Sequence, residues 1–185
     1  MLLRLSNTLI EHWRVAYEAN DRPVRGFPQT WSFAAFAADS EAHVVLAIEE
    51  YTLFTILFPH VWTGSLGDAL IAFEDRVSEL LSNARSHEGF QTVGFAITKL
   101  TDQRIASHAE HVASVVRGNP ELIREFGLIR GIRSIEERIN SHSLEFLNGQ
   151  TPIQAFLHAA RGEPSTAANR GTRIRSKPFR PVRGT

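Results

Sequence analysis

The chain has 185 residues, no cysteine, and 20 basic side chains against 20 acidic ones. That length fits one domain with extras or two small domains. The missing thiols exclude disulfides, thiolate metal sites and cysteine nucleophiles, and they suit a reducing compartment. The neutral total hides an asymmetry: residues 161–185 carry seven basic side chains against Glu163 alone, a net +6, which leaves −6 on the rest. A basic tail of this kind can reach partners that an acidic body would repel.

The first residues, Met1-Leu2-Leu3-Arg4-Leu5-Ser6, break their apolar run at Arg4, and no small-residue cleavage site follows, so they are not read as a signal peptide. No apolar run approaches the ~20 residues that span a bilayer. The expectation is a soluble cytoplasmic protein. Leu2 to Ser6 reads as a short strand. Ser6, Asn7 or Thr8 can cap a helix carrying Leu9, Ile10, Trp13 and Tyr17 at helical spacing. Two prolines and a glycine between Asn20 and Thr30 predict a loop.

The core is expected in WSFAAFAADSEAHVVLAIEEYTLFTILFP, Trp31 to Pro59. Its two polar breaks are too short for a helical crossover, so its three apolar runs should be consecutive antiparallel strands. The third, Leu53 to Phe58, is apolar at every alternate position and predicts a strand buried in mid-sheet. Ser65 with Asp68 resembles a capping box. Leu66, Leu70, Phe73, Val77 and Leu80 then form one helical stripe ending near Asn83.

Val93, Phe95 and Ile97 alternate with smaller or polar residues as a half-buried strand over 92–98. Thr101 or Asp102 caps a helix with Ile105, Ala109, Val112 and Val116 as its stripe, ended by Gly118. Asn119-Pro120 restarts a helix. Gly127 and Gly131 are expected to interrupt it, and Ser134 with Glu137 to cap a further one around Ile135 and Ile139. Thr151-Pro152 opens a last helix with Ile153, Phe156, Leu157 and Ala160 inward. From Gly162 onward the Arg-, Pro-, Ser- and Gly-rich stretch predicts disorder.

This order predicts an α+β fold with a mainly antiparallel sheet built on the three-strand meander. The expected division is an α+β domain at 1–116, a helical extension packed on it at 117–161, and a disordered basic tail at 162–185. Phe33, Val45, Leu46, Leu53, Ile56, Phe95 and Ile97 should be buried, with Leu70, Phe73 and Val77 covering them.

Four pieces, MLLRLSNTLIEHW, the 31–59 segment with Thr52-Leu53-Phe54 and Pro59, the 65–82 helix and the junction Ala96 to Arg104, resemble in order and spacing a bacterial family known only as a domain of unknown function. The resemblance covers about residues 1–116. It implies a fold and a bacterial origin and brings no activity. After Arg104 family members tend to carry a Gly-Ser-Met-Asn-type stretch, where this chain reads Ala106-Ser107-His108-Ala109-Glu110-His111. Residues 139–156 are similar to the end of some insertion-sequence transposase cores, with a Thr-Pro start to a final helix. The general rules for a capped, Pro-started helix account for the same pattern.

His108 and His111 lie three apart on one predicted helix, so their imidazoles can face one metal, with Glu110 between them. A third ligand would have to come from elsewhere, from His60, His87 or Glu49. The spacing matches neither H-E-x-x-H nor H-x-x-E-H, and solvated positions flanking the helix stripe explain it equally. Glu49 and Glu50 could act as acid and base if one were desolvated. Carboxylates at a strand end ordinarily point apart and meet water. Gly64 and Gly67 are followed by no Lys-Ser or Lys-Thr, so no phosphate loop is supported, and no G-x-S-x-G elbow is present.

In the tail, Arg170, Arg173, Arg175, Lys177, Arg180 and Arg183 are interleaved with prolines and Phe179. Arginine pairs bidentately with phosphate, so an extended arm of this kind can track a nucleic-acid backbone. A solubilising extension would look the same. The sequence thus favours a non-enzymatic binding or regulatory module with no cofactor, an unknown protein partner and nucleic acid as a partner of the tail. The alternative is a small metal-assisted enzyme centred on His108, Glu110 and His111.

Overall fold

A computed structural model describes residues 1–18, 30–38, 42–59, 61–83 and 95–162. The strands are β1 (Leu2–Leu5), β2 (Thr30–Ala37), β3 (His43–Glu49), β4 (Thr55–Phe58) and β5 (Ala96–Lys99). The helices are α1 (Asn7–Trp13), α2 (Leu66–Asn83), α3 (Gln103–Arg117), α4 (Pro120–Asn140) and α5 (Pro152–Ala160). The strands form one five-stranded sheet in the order β4-β3-β2-β1-β5.

The expected meander is present, because β2–β3 and β3–β4 pair antiparallel. The sheet as a whole is mixed rather than mainly antiparallel. β1 pairs parallel with both β2 and β5. Helix α1 lies between β1 and β2 in the chain, and a helical crossover returns the chain in its starting direction.

Residue alternation along each strand sorts the core into two layers. Leu3, Leu5, Trp31, Phe33, Val45, Ala47 and Ile56 face one side, where α1, α2 and α5 cover them through Leu9, Phe73, Val77 and Phe156. Phe73 sits edge-on to both Trp31 and Phe33, at centroid distances of 4.7 and 5.3 Å. Val44, Leu46, Ile48 and Leu57 face the other side with Leu53, under Ile105, Val112 and Val116 of α3 and Ile132, Ile135 and Ile139 of α4. Leu46 and Leu53 are therefore buried as expected, but beneath α3 and α4 instead of α2.

Several expectations need correction. Phe95 is 43% exposed and Ile97 only half-buried, because β5 is an edge strand. Residues 92–94 lie outside the described residues. Helix α1 stops at Trp13, where Arg14 takes a left-handed conformation, so Tyr17 is exposed and not part of it. Ser6 stands at its N-cap position without a side-chain cap bond. Strand β4 is doubly buried yet lies at the sheet edge, not in mid-sheet.

Within α4 only Gly127 breaks the helix, with φ +77°. Residues 128–140 then run through Ser134, so the expected capping box there does not form. Gly131 lies inside the helix. A Cβ there would stand 2.7 Å from the Leu122 carbonyl oxygen, so the glycine lets the two arms of the kinked helix touch backbone to backbone.

Three caps form as the sequence predicts. Asp68 accepts from the Ser65 N–H and hydroxyl while Ser65 accepts from the Asp68 N–H. Asp102 accepts from the Arg104 and Ile105 N–H groups. Thr151 and Gln154 close a full capping box. Among the described residues no helix is long and apolar enough to cross a membrane.

Candidate functional site

Polar side chains gather at two places, both reached from β4. The first is its outer edge. An edge strand leaves every second residue's N–H and C=O without a strand partner. Here α4 supplies side chains instead. Asn140 accepts from the Thr55 N–H at 2.9 Å and donates to the Thr55 carbonyl at 2.6 Å. Glu136 Oε2 accepts from the Leu57 N–H at 2.7 Å. Helix α4 thus closes the sheet as a further strand would.

The other oxygen of Glu136, Oε1, accepts from two guanidiniums: Arg76 of α2 at 3.1 Å and Arg133 of α4 at 3.3 Å. Arg76 also donates to Glu79 at 2.5 Å. Burial pulls the Arg76 pKa down, and its two carboxylate partners more than reverse that, so it ends raised. Its Nε is buried with no hydrogen-bond partner. Between α2 and α4 these groups border a cleft of about 300 Å³, whose apolar wall includes Phe58, Ala72 and Ile129.

The second place is the β3–β4 turn. Glu49 is buried at the end of β3, and its Oε2 accepts from the Tyr51 N–H, the Thr52 N–H and the Thr52 hydroxyl at 3.1, 2.8 and 2.7 Å. All three donors are neutral. Burial pushes its pKa up from 4.5 to about 7, against the Thr52 and Tyr51 hydrogen bonds and with a small push from Glu50. This brace holds Leu53 in a left-handed conformation, φ +57°, which a non-glycine residue adopts at a cost of roughly 1–2 kcal/mol.

Glu50 turns to the opposite face, where its carboxylate accepts from Arg4 of β1 and Ser32 of β2, and its carbonyl accepts from Arg104 of α3. The expectation that both carboxylates simply meet water is therefore overturned. One is buried as a turn brace and the other ties three elements together.

His108 lies under the same turn, its Nε2 3.1 Å from the Thr55 hydroxyl. Burial lowers its pKa to about 4, with repulsion from His111 and Arg104 in the same direction and a backbone hydrogen bond at Leu53 opposing. His111 and Glu110 on the same helix are exposed. Among the described residues no group of three or more His, Asp or Glu side chains stands close enough to hold a metal ion. His60 and His87 lie outside the described residues, as do Arg170, Arg173, Arg175, Lys177, Arg180 and Arg183. Elsewhere, the indole of Trp62 stacks between the rings of His12 and His43, at 3.9 and 4.6 Å.

Arg76, Arg133, Glu136 and Asn140 belong to no sequence motif. A signal was present: Glu136 and Asn140 occupy helix positions in register with Ile132, Ile135 and Ile139, so the inward stripe of α4 carries two polar residues. No protein-family model matches the chain, and no curated protein matches it.

Proposed function

We propose that the chain is a non-enzymatic binding module that works in the cytoplasm, with the cleft between α2 and α4 as its binding site and the Arg-rich C-terminal stretch as a nucleic-acid-contacting arm. The observation that carries the reading is the contrast in what the charged groups surround. Around the cleft they border open space of ligand size. At the β3–β4 turn they are spent on one another and on the backbone. Membership of the bacterial family that residues 1–116 resemble belongs to the same proposal and brings no activity with it.

The test is amide NMR on the full chain with a mixture of small acidic, basic and neutral organic probes, followed by a zinc titration. Shift changes should concentrate at Leu57, Asp75, Glu79, Ile129 and Arg133. Stoichiometric zinc binding centred on His108 and His111, with the cleft silent, would replace this reading with the metal-assisted one. The arm is tested with mixed-sequence duplex DNA. Five or six phosphate contacts give a log–log salt slope of about −4 to −5. Removing residues 163–185 should abolish that binding, and equal binding by the two chains would remove the arm from the proposal.

A further inference from the structure

We infer that the cleft between α2 and α4 is a docking groove for the chain's own Arg-rich C-terminal segment, with Phe179 against Ile129 and with Lys177 and Arg180 on Asp75 and Glu79. The inference rests on the reading of this cleft as the binding site and of that segment as a nucleic-acid arm, and it names what regulates both.

Charge selects a cationic occupant. Three carboxylates, Asp75, Glu79 and Glu136, stand around the cleft against the guanidiniums of Arg76 and Arg133. Glu136 is taken up by both guanidiniums and by the Leu57 N–H. Asp75 makes no hydrogen bond or ion pair among the described residues, and the side chain of Glu79 is 59% exposed beside Arg76. The excess charge is therefore negative and lies on the α2 wall. Along the whole of α2, Asp68, Glu74, Asp75 and Glu79 accompany Arg76 alone.

The apolar wall asks for more than charge. Phe58, Ala72 and Ile129 line it, and Ile129 is 64% exposed. A volume of about 300 Å³ lies at the small end of ligand pockets, which suits one anchoring side chain. Residues 163–185 carry six basic side chains against Glu163, and their one aromatic residue, Phe179, stands between Lys177 and Arg180. An aromatic anchor with flanking cations complements an apolar wall rimmed by carboxylates.

The segment also starts within reach. The last described residue, Gly162, follows α5. Helix α5 packs against α4, and its Phe156 shares Trp31 with Phe73 of α2, at centroid distances of 6.1 and 4.7 Å. The chain thus sets out from a helix that touches one wall of the cleft and shares a core residue with the other. The 17 residues from Gly162 to Phe179 cover about 20–25 Å as a coil and at most about 60 Å when stretched. Helix α2 itself is about 27 Å long. A tether of this kind gives an effective concentration in the millimolar range, so a weak contact is populated. The same guanidiniums neutralise phosphates, so the cleft and a nucleic acid exclude one another.

The chain has no cysteine, so Ser176→Cys carries a single nitroxide label on the full-length protein. Paramagnetic broadening should be strongest at the amides of Ala72, Asp75, Glu79 and Ile129 and absent at His111 of α3, across the sheet. Phe179→Ala should lower the docked population about five- to tenfold. Asp75→Asn with Glu79→Gln should lower it about two- to tenfold. Both carboxylate side chains are exposed, so the double variant should fold, and an unchanged amide spectrum away from the cleft checks this. Mixed-sequence duplex DNA should release the segment. Broadening that is uniform or absent, or that both variants leave unchanged, overturns the inference. Broadening found only between labelled and unlabelled molecules in a mixture makes the occupant a second copy and overturns it as well. If the segment docks and DNA does not release it, the docking stands and the arm reading fails. If DNA binds a segment that never docks, the arm reading stands and the inference fails.

Discussion

The protein buries two glutamates equally well and surrounds them differently. Glu49 is 1% exposed and Glu136 is 2% exposed. Glu136 has two guanidiniums and a backbone N–H on its two oxygens. Glu49 has two N–H groups and a hydroxyl, all on one oxygen, and no cation. The cost of removing a carboxylate from water is met by opposite charge in one case and by proton uptake in the other. A carboxylate with cations brings polar groups to a surface cleft. A carboxylate without them closes on itself and makes a rigid turn.

Removing each side chain separates the two roles, and the largest effect belongs to Glu136. Glu136→Ala leaves the guanidiniums of Arg76 and Arg133 without their shared partner and the Leu57 N–H without an acceptor. Breaking a buried charge network in this way costs about 3–5 kcal/mol. Urea unfolding near neutral pH measures it. A loss below about 1 kcal/mol would show that water replaces Glu136 at the β4 edge and that the cleft reaches deeper than the geometry indicates.

The second effect is in pH dependence. Folded Glu49 keeps its proton to about pH 7, whereas unfolded it releases it near 4.5. Between those values the folded state holds more protons, so stability falls as pH rises, by at most about 1.4 kcal/mol per pH unit. His108 acts in the opposite sense. Its folded pKa is about 4 against 6.5 unfolded. The unfolded chain holds more protons in that window, so stability is lost as pH falls through it.

The two slopes oppose each other where the windows overlap, from about pH 4.5 to 6.5. Glu49→Gln should leave the His108 slope alone, so the urea midpoint rises with pH up to about 6.5 and then flattens. His108→Gln should leave the Glu49 slope, a midpoint that falls from about pH 4.5 to 7. Two variants with the wild-type profile would mean that neither group is desolvated as described.

The same contrast explains what could be read from the sequence. The meander, the α2 stripe and the caps at Ser65, Asp102 and Thr151 were legible because each is local, set by spacing within a few residues. The parallel pairing of β1 with β2 and β5 depends on sheet order, which local pattern does not encode. Leu53 to Phe58 shows why. Apolar residues on both alternating faces, broken only by Thr55, mean burial on both faces, and a helix covering an edge strand satisfies that pattern as well as a place in mid-sheet. Glu49 and Glu50 look alike as neighbours in a turn. Only the fold puts one inside with Thr52 and sends the other to Arg4. Glu136 and Asn140 were the readable part of the candidate site, being polar residues on an apolar helix face, but Arg76 arrives from a helix 60 residues away in the chain.

The smallest effect tests the row of side chains that crosses the sheet beneath α3. By register Ser32 of β2 lies beside Arg4 of β1, and Arg4 beside Thr98 of β5. All three point to the face that Glu50 covers. The Ser32 hydroxyl and the Arg4 guanidinium both donate to Glu50. Thr98 is buried at the far end of the row, and its hydroxyl has no hydrogen-bond partner. Its desolvation is therefore uncompensated. Valine has the same branched shape, carries no polar atom and suits a strand at least as well. Thr98→Val should stabilise the fold by about 1 kcal/mol. Ser32→Ala should do the reverse, losing about 1.5–3 kcal/mol because its partner is a carboxylate. Opposite signs from two hydroxyls in one row are the signature of a Glu50 centre that reaches β1 and β2 and stops short of β5. If Thr98→Val loses as much as Ser32→Ala, the hydroxyl has an acceptor and the row is one network across three strands.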